Sequence, residues 1–141
     1  MNTPGGGLPP QGSEPDLTPH VLVVEDDPSV RSLLDTLLTA EGYRVATASD
    51  GIAGLSEAVA DRPAVILLDI VMPDLGGMRV LQELQANSAL SGVPVLVLTG
   101  RLEAIPSLQD QLGDGNVFSK PFGVADLLSR IAELTGKAPA S

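Results

Sequence analysis

The sequence predicts an α/β fold, a doubly wound three-layer sandwich in which helices cover both faces of a parallel sheet. Two observations carry this prediction. Short apolar runs alternate with amphipathic helical patterns from residue 20 to residue 136, and strands that are apolar throughout occur in parallel sheets buried between helices. The 141 residues, of which 43% are apolar, also match the length and core of one ordinary domain.

Three strands and two helices are predicted in the first half of this domain. The run VLVV at 21–24 forms the first strand, and the first helix ends at Gly42. Residues 43–47 alternate as a second strand, a second helix ends before Pro63, and AVILL at 64–68 is the third strand. The apolar stripes are Val30, Leu33, Leu34, Leu37 and Leu38 in the first helix, and Ile52, Leu55 and Val59 in the second.

The second half continues the alternation with two strands and three helices. The strands are VPVLVL at 93–98 and NVFS at 116–119. The fourth helix has only about two turns, from near Pro106 to residue 112, because proline fits the first turn of a helix; 101–105 is then a loop. The apolar positions are Met78, Leu81 and Leu84 in the third helix, with Met78 expected in the core, and Val124, Leu127, Leu128, Ile131 and Leu134 in the last.

The ends of the chain differ in composition from the domain. Residues 1–19 hold five of the 12 prolines and four of the 15 glycines and predict a disordered tail. The domain then spans 20–136, followed by a short C-terminal tail at 137–141. His20 stands at the boundary of the first tail, and we expect it to be exposed.

Charge and composition exclude several classes of function. A net charge of −10 repels phosphate backbones and anionic membrane surfaces, so we expect no direct nucleic-acid binding and no membrane binding. The chain has no cysteine, which excludes disulfides and thiolate metal sites. It also shows neither a signal peptide nor an apolar run of membrane-spanning length, and we expect a cytoplasmic protein.

Polar side chains follow four of the five predicted strands at the point where each strand ends. Glu25 and Asp26 follow the first strand, Asp69 the third, Thr99 the fourth and Lys120 the fifth. In doubly wound sheets ligands bind at these carboxyl ends. Three carboxylates that meet in one crevice must hold protons or a cation, and an all-oxygen set suits Mg²⁺. A hydroxyl and an ammonium beside them suit phosphoryl oxygens.

The third acid of the VLVVEDDPS stretch has a different predicted role. Asp27 stands directly before Pro28, and proline is favoured as the first residue of a helix. We therefore expect the Asp27 carboxylate to cap the first helix rather than to bind the ion.

Four segments, VLVVEDD, LLDIVMPDLGG, PVLVLTG and SKPF, resemble in this order the receiver domain of two-component response regulators of the chemotaxis-regulator type. The second of these contains Asp69, Pro73 and Gly77. The resemblance covers residues 20–135. It implies a flavodoxin-like three-layer α/β/α sandwich with a five-stranded parallel sheet of order 2-1-3-4-5.

The same resemblance implies a phosphorelay function in which Asp69 accepts a phosphoryl group from a phosphohistidine. The donor would be a histidine kinase or a histidine phosphotransfer protein. Thr99 would donate its hydroxyl to one phosphoryl oxygen and Lys120 would pair with another. The Lys120–Pro121 peptide is commonly cis in this family, a geometry that X–Pro bonds tolerate.

A Mg²⁺ site is implied beside the phosphoacceptor. Asp26 would bind the ion directly and Glu25 mostly through water, with Asp69 and the backbone carbonyl of Val71 as further ligands. The domain would be a switch rather than an enzyme, although it would assist its own phosphorylation and dephosphorylation.

Three departures from the family fall between the end of the fourth strand and the fifth strand. Val117 stands where receivers usually carry Tyr or Phe, and Phe118 would point to the opposite face of the strand. The segment from Thr99 to Lys120 is also about one residue shorter than usual, and Gly100 replaces a common Ala. These departures suggest a signal read through loop and short-helix rearrangement rather than aromatic rotation.

Two other functions stay open. One is a phosphorylation-independent pseudo-receiver that acts as an interaction or dimerisation module, a reading that Val117 favours. The other is a Mg²⁺-dependent phosphohydrolase, which usually needs an acid two residues past its nucleophile, where this chain has Val71. The sequence identifies neither the downstream protein nor the stimulus, and it does not decide whether two copies form a homodimer.

Overall fold

The computed structural model of the chain describes residues 18–71 and 76–136, which form a five-stranded sheet with helices on both faces. All neighbouring strands are parallel, and their order is β2-β1-β3-β4-β5, as predicted. The strands are β1 His20–Val24, β2 Arg44–Ala48, β3 Val65–Asp69, β4 Val95–Thr99 and β5 Val117–Ser119. The tails predicted at 1–19 and 137–141 lie outside the described residues, apart from residues 18 and 19, as do Met72 and Pro73.

Five α-helices connect and follow these strands in the described ranges. They are α1 Pro28–Ala40, α2 Gly51–Ala60, α3 Gly77–Ala86, α4 Ile105–Leu112 and α5 Val124–Thr135. The short α4 is confirmed, with Pro106 in its first turn, but part of the loop predicted before it is a 3-10 turn at Leu102–Ala104. No helix within 18–71 or 76–136 combines the length and apolar character that a membrane span requires.

The core is divided by the sheet into two clusters. Val21 and Val23 of β1 face a cluster that includes Leu34 and Leu38 of α1 and Leu127 and Ile131 of α5. The intervening residues of the same strand pack on the other side, with residues of α2, α3 and α4. Because side chains alternate along a strand, an apolar β1 supplies both clusters.

The helix predicted for α2 is correct, and Leu55 of its predicted apolar face is partly buried against the core, but the other two predicted positions are exposed. Ile52 and Val59 are 61% and 53% exposed, and the buried positions are Gly51, Gly54 and Ala58. A Cβ at Gly54 would lie 2.8 Å from a methyl carbon of Val24. Small residues let the helix backbone approach the sheet closely, a contact that a stripe of large apolar residues does not reveal.

Four further side chains lie where the sequence did not predict them. Leu33, Met78 and Val124, which belong to predicted apolar stripes, are 47%, 37% and 38% exposed. His20 is the first residue of β1 and is only 5% exposed, so its expected exposure is wrong. The strand begins one residue earlier than the apolar run, and this residue is covered by its neighbours.

Gly77 has a structural role beyond the flexible turn that a Gly-Gly pair indicates. A Cβ at this position would collide with the backbone of Ile70, and the Gly77 N–H donates to the Ile70 carbonyl at 2.9 Å. Glycine therefore lets α3 start directly against the end of β3. This contact places the first turn of α3 beside the residue that follows Asp69.

Candidate functional site

The carboxyl edge of the sheet brings together the predicted polar residues. Glu25, Asp69 and Thr99 are 1%, 4% and 0% exposed, although each follows or ends an apolar strand. The register pairs Val24 with Leu68, so Glu25 and Asp69 are the next residues of two adjacent parallel strands. An open cleft of about 330 Å³ is lined by Glu25, Asp26, Asp27, Asp69, Val71, Gly100 and Lys120.

Three carboxylates in this cleft have the spacing of metal ligands. Oxygens of Glu25, Asp26 and Asp69 lie within 4.8 Å of one another, and Asp26 is the most exposed of the three side chains. Val71, the fourth predicted ligand, lines the same cleft, and its N–H donates to Asp69 Oδ1 at 3.0 Å. The donor set is oxygen throughout, which fits a hard divalent ion such as Mg²⁺.

Lys120 supplies positive charge to the two buried acids. Its Nζ lies 2.7 Å from Glu25 Oε1 and 3.3 Å from Asp69 Oδ2. Its backbone N–H donates to the Thr99 carbonyl at 2.8 Å, and the Lys120–Pro121 peptide is cis, as the family resemblance implies. Burial alone would lower the pKa of Lys120, but the hydrogen bond to Glu25 and the charge of Asp69 outweigh it and raise that pKa.

The charge at this edge is not balanced by the lysine. Burial raises the pKa of Glu25 from 4.5 to about 7, although the hydrogen bond from Lys120 acts in the opposite direction. The nearby Asp69 raises the same pKa further. Three carboxylates share one ammonium here, so an added cation would be stabilised by the remaining negative charge.

Asp27 caps α1, as predicted, and does not belong to the group of three acids. Its Oδ1 accepts a hydrogen bond from the Ser29 N–H at 2.9 Å, while its own N–H donates to Glu25 Oε2 at 3.1 Å. Sequence reasoning missed Arg31, whose Nη1 donates to the carbonyls of Glu25 at 2.9 Å and Asp26 at 3.3 Å. An arginine in the first turn of the helix after an acidic loop was the available signal.

Gly100 lines the cleft, whereas Thr99, which directly precedes it, is fully buried and is not among the lining residues. The Thr99 Oγ1 accepts a hydrogen bond from the Arg101 N–H at 2.9 Å, which leaves the hydroxyl proton available for donation. A Cβ at Gly100 would meet nothing within 4 Å, so no contact of the described residues requires glycine there. Val117 and Phe118 pack against opposite core clusters, in agreement with the prediction that they face opposite sides of the sheet.

Comparison with known proteins identifies the family. The model of the response regulator receiver domain matches residues 21–132. The chain belongs to this family. It is therefore a receiver domain of two-component signal transduction. The observed fold and strand order, β2-β1-β3-β4-β5, agree with this family.

Two curated relatives are full-length regulators. The DNA-binding dual master transcriptional regulator RpaA of Synechocystis is 35% identical over 121 residues, covering 82% of this chain and 48% of the relative. The response regulator MprA of Mycobacterium avium is 37% identical over 118 residues, covering 82% and 50%. This receiver thus spans about half the length of the curated relatives it matches.

Solved receiver structures match nearly over their whole length. The receiver domain of the sensor histidine kinase PA1611 from Pseudomonas aeruginosa, which has magnesium in its active-site cleft, is 30% identical with a TM-score of 0.75, covering 84% of this chain and 98% of that one. The response regulator TrrA of Thermotoga maritima, in complex with Mg²⁺-BeF, is 27% identical with a TM-score of 0.74, covering 83% and 99%.

Proposed function

We propose that this receiver accepts a phosphoryl group on Asp69 from a phosphohistidine in a Mg²⁺-dependent reaction, and that the aspartyl phosphate changes its conformation. The observation that carries the proposal is the position of the Asp69 carboxylate. It is 4% exposed, opens onto the cleft, and lies beside two other acids and the Lys120 ammonium. Ligands of doubly wound α/β sheets bind in the crevice at the carboxyl ends of the strands, and Asp69 is a buried acid that lines such a crevice.

Glu25, Asp26 and Asp69 are the side chains that would hold Mg²⁺, with the Val71 carbonyl as a further ligand. When bound, the ion supplies positive charge that offsets negative charge on the transferring oxygens. The magnesium in the cleft of the PA1611 receiver supports this assignment. Asp26, as the most exposed acid, is the ligand that the ion would meet first.

The remaining residues position the phosphoryl group. An Asp69 carboxylate oxygen forms the bond to phosphorus as the phosphorus–nitrogen bond to the donor imidazole breaks, and the imidazole leaves with that electron pair. Lys120 lies 3.3 Å from Asp69 Oδ2, close enough to pair with a phosphoryl oxygen attached there. Thr99 would give its free hydroxyl proton to another oxygen of the same group.

A groove beside the cleft is suited to contact the donor protein. It has a volume of about 230 Å³ and is lined by Val30, Leu33, Lys120, Pro121, Phe122 and Val124. Lys120 lines both the groove and the acidic cleft. Exposed apolar surface next to a reactive group marks a site of protein contact, and we propose that an apolar helix face of the histidine-bearing donor packs on it. The exposure of Leu33 then has a functional reason.

Incubation with Mg²⁺ and acetyl phosphate, followed by intact-mass measurement, tests the proposal. We expect one phosphoryl adduct on the wild-type chain and none on Asp69→Asn. The absence of an adduct on both would favour the pseudo-receiver. Multiple turnover of unrelated phosphoesters would favour the hydrolase, although the apolar Val71 occupies the position where that chemistry usually has an acid.

The donor groove is tested by comparing two sources of phosphoryl groups. We expect Leu33→Ala to slow transfer from a histidine kinase that phosphorylates the wild type, while labelling by acetyl phosphate stays unchanged. Ile52→Ala, an exposed apolar position on α2 across the sheet, is the matched control. Equal rates of kinase transfer in all three proteins would contradict the assignment of this groove.

We also propose that the loop after β4 and the short α4 report phosphorylation. Val117 lacks the aromatic ring that usually moves in receivers. Thr99 is instead linked to the start of that loop, because its Oγ1 accepts a hydrogen bond from the backbone N–H of Arg101. Donation of the Thr99 hydroxyl to the phosphoryl group would change this hydrogen bond. Amide spectra with and without beryllofluoride test the proposal, and unchanged signals from 100–119 would exclude it.

A further inference from the structure

A second cluster of ligand-type side chains lies at the opposite end of β1. Atoms of His20, Glu57 and Asp61 lie within 4.8 Å of one another. His20 begins β1, Glu57 lies in the last turn of α2, and Asp61 directly follows that helix. The site just assigned to phosphoryl transfer uses none of these residues.

The histidine ring is oriented by the backbone. Its Nδ1 lies 3.1 Å from the Arg44 carbonyl oxygen, which can only accept a hydrogen bond, so Nδ1 carries a proton. In the neutral ring the lone pair is then on Nε2. Metal-binding histidines commonly donate their other ring N–H to a backbone carbonyl in this way, which fixes both the tautomer and the ring orientation.

The lone-pair nitrogen faces a carboxylate. Nε2 lies 3.5 Å from Asp61 Oδ2, and this buried atom has no hydrogen-bond partner among the described residues. Two acceptors that face each other require a cation between them, either a proton or a metal ion. The separation is long for a direct N–H···O bond, but it is close to the roughly 3.3 Å between two ligands of a tetrahedral ion with bonds of about 2.0 Å.

The Asp61 carboxylate is itself oriented by a hydrogen bond. The Arg44 guanidinium donates to Asp61 Oδ2 at 2.7 Å, and this hydrogen bond holds the pKa of the Asp61 carboxyl below its usual range. Metal-binding carboxylates are themselves commonly hydrogen-bonded in proteins. Glu57 adds a second carboxylate that a simple proton bridge between His20 and Asp61 would not need.

We propose that His20, Glu57 and Asp61 bind a divalent transition-metal ion, with Zn²⁺ the best match. One imidazole nitrogen and two carboxylate oxygens are ligands that Zn²⁺ accepts, and a water would complete four-coordination. The site differs in chemistry from the all-oxygen cleft, which suits Mg²⁺. A bound ion would tie the start of β1 to the end of α2.

The sole histidine of the chain makes the test direct. Untagged, full-length, ¹⁵N-labelled protein is titrated with Zn²⁺ in excess Mg²⁺, and the ring nitrogens of His20 are followed by NMR. We expect a saturable change at Nε2 with Zn²⁺ and none with Mg²⁺ alone. Glu57→Gln and Asp61→Asn should each weaken binding by about tenfold or more, with amide spectra confirming that both variants fold.

Two control variants locate the ion. Asp110→Asn, at an exposed position of α4, and Asp26→Asn, at the opposite edge of the sheet, should bind Zn²⁺ as the wild type does. An Nε2 signal that stays protonated and unchanged at saturating Zn²⁺ would show that a proton bridges His20 and Asp61, which overturns the proposal. Wild-type affinity in Glu57→Gln, or loss of binding in Asp26→Asn, would overturn it as well.

Discussion

Both ends of β1 carry a cluster of ionisable groups, but the two clusters are built differently. At the carboxyl end, residues at the ends of several parallel strands meet in one crevice, and Glu25 is 1% exposed. At the amino end, His20 from the strand start meets two acids from the end of one helix, and Asp61 remains 43% exposed. The parallel sheet therefore concentrates buried charge at one edge only.

The direction of the pKa shifts reflects this difference. Burial raises the pKa of Glu25 to about 7, and the nearby Asp69 adds to the rise, while the hydrogen bond from Lys120 opposes it. The Arg44 hydrogen bond lowers the pKa of Asp61, and this effect outweighs the opposite effect of desolvation. At the carboxyl edge three acids thus share one lysine, whereas at the amino edge Asp61 has an arginine partner of its own.

The largest predicted difference between the edges comes from removing the basic residue of each. Lys120→Ala leaves two buried acids without their ammonium, and we expect it to lower the free energy of unfolding by about 3 kcal/mol in metal-free buffer. Arg44→Ala removes a half-exposed partner and should cost clearly less. Urea denaturation of the two variants measures both effects.

Addition of Mg²⁺ should affect the stability of the two variants differently. It should restore part of the stability of Lys120→Ala, because it adds positive charge among the same carboxylates, and it should leave the deficit of Arg44→Ala unchanged. Equal losses in the two variants, with no response to Mg²⁺, would contradict the charge imbalance described here.

The next effect is a pH dependence that Glu25 imposes. Because the pKa of Glu25 is raised from 4.5 to about 7, the folded state binds the proton of the Glu25 carboxyl group more tightly than the unfolded state does. The stability that this proton contributes is therefore lost as pH rises from about 4.5 to about 7. Relative to Glu25→Gln, the metal-free wild type should lose on the order of 2 kcal/mol of unfolding free energy across this window. If the unfolding free energies of the two proteins changed with pH in the same way, the raised pKa of Glu25 would be contradicted.

The smallest effect separates adjacent acids of one loop. Asp27→Ala should cost about 1 kcal/mol of stability through loss of the α1 cap, with Mg²⁺ affinity nearly unchanged. Asp26→Ala should reduce Mg²⁺ affinity with little effect on stability. Denaturation and Mg²⁺ titration of both variants provide the check, and equal losses of Mg²⁺ affinity would refute the division of roles.

The carboxyl edge was predictable from the sequence because each of its residues ends an apolar run. Glu25 and Asp69 follow strands whose apolar character is continuous, and in a parallel sheet such strand ends converge. The position of Lys120 was predictable for the same reason, whereas its distances to the two acids depend on packing. The resemblance to receivers supplied the order of the strands.

The amino edge could not be predicted in the same way. His20 precedes the apolar run and follows a proline-rich segment, so its burial depends on neighbours that only the folded chain brings together. Asp61 lies close to His20 because of the direction in which α2 runs, and the sequence did not predict correctly which residues of that helix are buried. Ile52 and Val59 are exposed because the small residues Gly51, Gly54 and Ala58 are the buried positions of the helix. Gly54 lies close to Val24, and Leu55 is only partly buried against the core.

The central claim is that Asp69 is phosphorylated in a Mg²⁺-dependent reaction. Chemical trapping of the aspartyl phosphate tests it most directly. Borohydride converts an aspartyl phosphate to homoserine, and peptide mass spectrometry then locates the modified residue. We predict homoserine at position 69 when acetyl phosphate and Mg²⁺ are both present, and unmodified Asp69 when either is omitted. Homoserine at another acid of the cleft, or at none, would contradict the account.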